Sequence, residues 1–314
     1  MSAAATSPAL AEFQGQPCVD ISLPQGDRVR IALHGAHVLS WTTADGQERL
    51  YLSPRALIDG QSAIRGGVPI CFPQFNNRVL NGQTLPKHGF ARTESWTLQS
   101  VEQTATFATA RLRLGSNEAT RKLWPHEFVA TLTVELAADR LCLVFEVQNT
   151  GLQAWPFALA LHTYLQVQDI SQTRLLGLEG LVFWDGVQHL TQPEVRSLQL
   201  ATGPDSALGF DAETDRVYED VHRDAEADRP IHVTQANFEV RQQSGDTVRL
   251  SQSASLTDTV VWNPGVDRCA ALNDMPPDGY RHMLCVEAAC INSPVNLAAG
   301  QSWSGWQALD VLRA

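Results

Sequence analysis

The sequence predicts an all-β protein. Short runs of alternating apolar and polar residues recur along its 314 residues, and Gly, Pro, Asn and Asp punctuate them. No long amphipathic helix with caps interrupts the series. Strands this dense, without alternating helices, belong to a sandwich or barrel rather than to an α/β sheet.

The elements follow in order. RVRIAL (28–33), HVLSWTT (37–43) and RLYLS (49–53) open the series, and SWTLQSV (95–101) and ATFATARLRL (105–114) continue it. The most legible stretch is 128–149, FVATLTVELAADRLCLVFEVQN. Phe128, Ala130, Leu132, Val134 and Leu136 share one face at period two. A turn at Ala138-Asp139 follows, and Leu141, Leu143, Phe145 and Val147 resume the alternation. That is a β-hairpin with one buried face. FALALHTYLQV (157–167), IHVTQ (231–235), TVRLSQ (247–252), TVVWN (259–263) and MLCVEAA (283–289) complete the series. With no internal repeat and no low-complexity linker, a single domain over 1–314 is expected, residues 1–20 forming a loosely ordered N-terminal segment. The charged interval 211–230 reads as a solvated surface loop.

The charge balance is 23 Lys+Arg against 34 Asp+Glu, a net charge of −11. A field of that sign opposes binding to nucleic acid or to an anionic membrane. No apolar run reaches the ~18 residues of a membrane span. The N-terminus lacks the basic and apolar regions of a secretory signal. Six cysteines form no CxxC pair, and no N-x-[ST] acceptor occurs. A cytoplasmic protein is therefore expected.

Three places carry candidate chemistry. His162 lies in a nearly all-apolar run, and reads either as a satisfied core histidine or as a functional one with a pKa lowered by burial. Glu287 lies inside MLCVEAACI. It is either a structural ion-pair partner or a general base whose pKa desolvation has raised. In IRGGVPICFPQF, Gly66-Gly67 permits a sharp turn or a close backbone approach beside Arg65. PKHGFAR (86–92) concentrates Lys87, His88 and Arg92 in seven residues of an acidic chain. His34 and His37 form an HxxH spacing without a third ligand nearby. They read as surface or turn histidines, and no metal site is expected. GxSxG, P-loop and GxGxxG signatures are absent.

Six motifs, IRGGVPICFPQF, LPKHGFAR, ALHTYLQVQDI, TDRVY, VVWNPG and MLCVEAA, occur in the order seen in the aldose 1-epimerase superfamily. The chain resembles that superfamily over about residues 28–310, most closely its glucose-6-phosphate 1-epimerase (hexose-6-phosphate mutarotase) branch. The resemblance implies a galactose mutarotase-like β-supersandwich with an open sugar cleft. It implies exchange of α and β anomers at C1 without a cofactor or metal. It makes His162 the acid and Glu287 the base; the chemistry of anomerisation then has Glu287 start ionised and His162 start protonated. It places His88 and Asp215 against the sugar, Arg65 and Arg92 at the substrate phosphate, and Gln83 at a further binding position. Lys87 stands where several relatives have Ser or Gln and receives no role.

The implied partner is a small-molecule hexose 6-phosphate, with no nucleic acid and no membrane, on a monomer or weak homodimer. Arginine forks suit a phosphate because they bind its oxygens bidentately and stay charged. The alternatives are an aldose 1-epimerase acting on unphosphorylated galactose or glucose, and a non-catalytic sugar-binding or regulatory protein, which would be expected to lack the acid or the base.

Overall fold

The computed structural model describes residues 10–80, 83–178, 180–191, 198–200, 208–222, 235–241 and 246–313. Nearly all of the regular structure among them is antiparallel sheet, and no helix there is long and apolar enough to cross a membrane.

Two large sheets dominate. The first has the order Arg174–Leu176, Gln235–Arg241, Thr247–Ser253, Ser302–Leu312, Arg140–Asn149, Phe128–Ala137, Phe107–Gly115 and Thr97–Gln103. Its centre is the 128–149 hairpin, which pairs from Phe128↔Asn149 to Ala137↔Arg140 around the expected turn. The second has the order Leu198–Leu200, Val182–Asp185, Thr214–Tyr218, Asp258–Asn263, Met283–Leu297, Trp155–Leu161 and Ile70–Cys71, with Tyr164–Gln166 also paired to Met283–Leu297. Apolar side chains from Val19 to Val311 fill the main core.

The N-terminal expectation is corrected in part. Residues 1–9 lie outside the described residues, but Ala11–Phe13 and Gln16–Ser22 pair with each other, and the second pairs with Arg28–Ala32. Cys18, Val19 and Ile21 are buried there, so the strand is held by the core as well as by its ladder. RLYLS forms isolated bridges instead of a strand, because its backbone bonds to separate partners, such as Tyr51 N–H to Tyr164 O. Most of IHVTQ, and residues 223–230 of the charged interval, lie outside the described residues; the surface loop expected over 211–230 is corrected at Thr214–Tyr218, a strand paired on both sides with Val217 and Tyr218 buried.

His34 and His37 are both buried rather than at the surface. His37 Nε2 donates to Gly66 O at 2.7 Å. Gly66 and Gly67 have φ of 111° and 59°, and a Cβ on Gly67 would meet Val38 O at 2.2 Å. The Gly-Gly pair thus provides both a left-handed turn and a close approach to His37.

Candidate active site

Paired residues of an antiparallel sheet share a face. On one face of the second sheet, Asp215 pairs with Trp262, Trp262 with Cys285, and Cys285 with Tyr164. In the adjacent row, Trp184 pairs with Val217, Val217 with Val260, and Val260 with Glu287. These rows form the floor of a cavity of about 390 Å³, a size that suits a phosphorylated sugar.

His162 completes the second row: it stands opposite Glu287 in a register that is the same on both sides of a gap in the pairing. Pairing with Met283–Leu297 runs to Leu161↔Ala288 and resumes at Tyr164↔Cys285. Across the gap, Val286 N–H donates to Thr163 O. Behind it, Thr163 Oγ1 donates to Gln307 Oε1 at 2.5 Å, and Gln307 Nε2 donates to Val286 O at 3.0 Å. Thr163 and Gln307 are both buried, so this network fixes the break from the core side.

His162 Nε2 and Glu287 Oε1 are 3.3 Å apart. The residues are 8% and 1% exposed, and His162 Nδ1 and Glu287 Oε2 have no hydrogen-bond partner among the described residues. Burial pushes the His162 pKa well below its usual range, and nearby Arg92 and Arg65 add to that. Burial pushes Glu287 well above the usual carboxylate range; Asp215 adds to the rise and Lys87 opposes it. Both directions favour a neutral pair, whereas the sequence expectation is an ionised Glu287 and a protonated His162. The neutral and the charged pair nevertheless hold the same single proton.

Cys285 Sγ joins these two groups, the three donor atoms lying within 4.8 Å of one another. Burial raises the Cys285 thiol well above its usual range, so it is held as a neutral thiol rather than as a thiolate ligand.

The facing wall comes from two motifs joined in space. Phe72 O accepts from the N–H groups of Phe90 and Ala91, and a Cβ on Gly89 would stand 2.1 Å from Phe72 O. Only glycine fits there. The turn closes with Gly89 N–H on Pro86 O at 2.9 Å. His88 sits inside it at φ 63°, an uncommon backbone for a bulky residue. Asn76, at φ 56°, locks it: His88 N–H donates to Asn76 O, and His88 Nδ1 accepts from Asn76 N–H at 3.2 Å. The His88 proton is therefore on Nε2. Burial, followed by the charges of neighbouring His162, Arg92, Lys87 and Arg65, holds its pKa well down. Its ring stands edge-on to His162 at 5.6 Å between centroids.

Asp215 closes a third side. Burial raises its pKa to about 6, against the pull of Lys87 and with help from Glu213 and Asp185. Gly186 leaves room for it, since a Cβ there would meet Asp215 Cγ at 2.6 Å.

Of the sequence candidates, His162, Glu287, His88, Asp215 and Arg65 line this one cavity. Arg92 is absent from its walls; its Nη2 donates to Lys87 O at 2.7 Å, behind the turn. Arg65 is already engaged, with Nη2 at 3.1 Å from Asp274 Oδ2 and Nη1 donating to Tyr164 OH at 3.0 Å. Gln83 opens the strand Gln83–Leu85, and its side chain lies outside the described residues. Sequence reasoning left Lys87 without a role and missed Arg268, Trp184, Trp262 and Phe75, which also line the cavity. The available signals were the position of Arg268 three residues after VVWNPG and that of Phe75 at the end of the RGG motif.

The family model for aldose 1-epimerase matches residues 17–310. A Cenchrus ciliaris protein named "Putative glucose-6-phosphate 1-epimerase" is 33% identical over 290 residues, covering 90% of this chain and 80% of that protein. A protein of the same name from Escherichia coli K12 is 34% identical over 262 residues, covering 83% and 79%. The crystal structure of a "putative mutarotase (YeaD)" from Salmonella typhimurium matches with a TM-score of 0.83 at 28% identity, covering 98% and 95%. A galactose mutarotase-like protein from Clostridium acetobutylicum matches with a TM-score of 0.74 at 17% identity, covering 98% of each chain. The fold is thus the galactose mutarotase-like β-supersandwich that the sequence motifs imply.

Proposed function

The chain belongs to the aldose 1-epimerase family and is an isomerase, and from that premise we propose that it interconverts the α and β anomers of a hexose 6-phosphate. The observation that carries the reading is the buried His162–Glu287 pair, 3.3 Å apart, in a cavity that also presents Lys87, Arg65 and Arg268. The names of the relatives from Cenchrus ciliaris and Escherichia coli agree with a phosphorylated substrate.

Anomerisation needs one proton removed from the C1 hydroxyl and one delivered to the ring oxygen. With the pair in its charged form, Glu287 accepts the C1 hydroxyl proton as His162 protonates the ring oxygen. The bond from C1 to the ring oxygen breaks and a C1 carbonyl forms. The open aldehyde turns about its bond to C2. The freed hydroxyl then attacks the other carbonyl face, returning its proton to His162 while Glu287 protonates the new C1 oxygen. The pair ends as it began, with one proton. Each positioned transfer contributes about 10²–10⁴-fold. The rate is therefore expected to be bell-shaped in pH, failing where the pair carries two protons and where it carries none.

His88 and Asp215 serve as polar contacts for the sugar, and Trp184, Trp262 and Phe75 give it aromatic walls. The domain is read as one unit over 1–314.

A second reading, a mutarotase for unphosphorylated hexose, draws support from the carboxylates Glu213 and Asp215 in the same cavity. Exchange NMR on equilibrated glucose 6-phosphate and on glucose separates the two. The proposal expects α/β exchange to rise above the spontaneous rate, with kcat/KM for the phosphate ester at least about 100-fold above that for glucose, the scale of one or two charge-assisted phosphate contacts. Equal efficiency, or acceleration of glucose alone, would establish the second reading.

A further inference from the structure

We propose that Tyr164 is a positioning residue for the anomerisation, holding the imidazole of His162 in the plane from which Nε2 reaches Glu287 and the sugar ring oxygen. The inference rests on the reading of His162 as the acid, and it adds a residue that does not itself meet the sugar. The two rings are stacked, with centroids 4.9 Å apart and planes 12° from parallel.

An imidazole that moves protons is usually aimed by a hydrogen bond on its second nitrogen. His162 has no such bond to another residue. Nε2 faces Glu287 Oε1 at 3.3 Å, and apart from the main chain of His162 itself nothing among the described residues holds Nδ1. The orientation of the ring therefore falls to packing. Trp262 and His88 stand nearly perpendicular to it, at 80° and 85°, with centroids 6.1 Å and 5.6 Å away. Tyr164 alone lies parallel to it. Turning the imidazole about its bond to Cβ would drive its edge into the Tyr164 face, so the stack opposes that rotation directly.

The fold places Tyr164 for this task. Residues two apart in extended chain project from the same face, which brings His162 and Tyr164 side by side. Tyr164 is anchored in the sheet by its pairing with Cys285, by its N–H donating to Gly67 O and by its O accepting from Tyr51 N–H, both at 2.9 Å. At the far end of the side chain, the hydroxyl accepts from Arg65 Nη1 at 3.0 Å. Trp262 crosses the ring at 6.0 Å and 84°. Tyr164 is thus fixed at both ends. It is 2% exposed and is not among the residues that line the cavity. Its influence on the reaction passes through His162.

The test compares Tyr164→Phe, which keeps the ring without the hydroxyl, with Tyr164→Met, which fills similar space without a ring. Anomer exchange of glucose 6-phosphate is measured for both, with His162→Asn as the control and urea unfolding as the check on folding. The Met variant is expected to lose about 10–100-fold in kcat, the scale of an ångström of misplacement, with KM within about 2-fold of wild type. The Phe variant should keep kcat within about 3-fold. NMR of the His162 ring protons, assigned through His162→Asn, should show an upfield ring-current displacement in the wild type and the Phe variant, and its loss in the Met variant. The proposal is overturned by a folded Met variant with wild-type kcat, whatever its KM, or by a Phe variant as impaired as the Met variant. It is also overturned by wild-type ring protons without the upfield displacement, a result that decides the matter even where the Met variant does not fold. These outcomes leave the acid reading intact as long as His162→Asn is inactive; wild-type exchange in His162→Asn would remove that reading and the inference with it.

Discussion

His37 sets a testable limit on acid stability. Its ring is fully buried beneath the Gly66-Gly67 turn, with Nε2 donating to Gly66 O and Nδ1 facing no partner among the described residues. A second proton would have to sit on that orphan nitrogen. Burial accordingly lowers the pKa from 6.5 to about 3, against the favourable Gly66 contact. The unfolded chain takes up a proton at this ring below pH 6.5 and the folded chain does not. Stability from this group is therefore full above pH 6.5 and is lost as pH falls toward about 3. Each pH unit in that window corresponds to ~1.4 kcal/mol, so lowering the pH to 5 costs about 2 kcal/mol from His37 alone. His37→Gln keeps a donor near Gly66 O without the titration. Urea unfolding at pH 7 and pH 5 should show the variant losing about 2 kcal/mol less than the wild type between the two conditions. Equal losses would refute the reasoning, because carboxylate titrations elsewhere are common to both proteins.

Two further outcomes concern the site. In Gly186→Ala the added methyl would stand 2.6 Å from Asp215 Cγ, so the carboxylate must move. The sugar KM should rise about 10-fold with a smaller change in kcat, the loss of roughly one hydrogen bond to a charged group; an unchanged KM would remove Asp215 from the binding wall. Gln307→Leu leaves Thr163 Oγ1 and Val286 O without their buried partner. It should cost about 1–3 kcal/mol in urea unfolding and lower kcat as the break under His162 loosens. A loss of stability with wild-type kcat would show that the network supports only the fold.

The strand-rich class was legible because alternation is local, and the 128–149 hairpin is the clearest case. His162 and Glu287 were legible for a different reason: a polar residue in an apolar run must be explained wherever the chain goes. Their 3.3 Å contact was not legible, since it depends on the pairing and register of two strands far apart in the sequence. The same holds for Arg65. Its charge reads as available until Asp274, 209 residues away, is seen beside it. His37 was misread because an HxxH spacing carries no information on burial. The strand Gln16–Ser22 was missed because its polar residues resemble a loose terminus until Cys18, Val19 and Ile21 are placed in the core.

The exchange rate of glucose 6-phosphate anomers in Glu287→Gln and His162→Asn bears most directly on the shared-proton pair. Gln and Asn keep approximate shape and polarity but cannot carry the proton between C1 oxygen and ring oxygen. Each variant is expected to lose about 10²–10⁴-fold in kcat, and the double variant little more than either alone. Folding should survive, since Glu287→Gln removes a buried ionisable group that has an unpartnered oxygen. Wild-type exchange in both folded single variants would contradict the assignment of His162 and Glu287 as the acid and base.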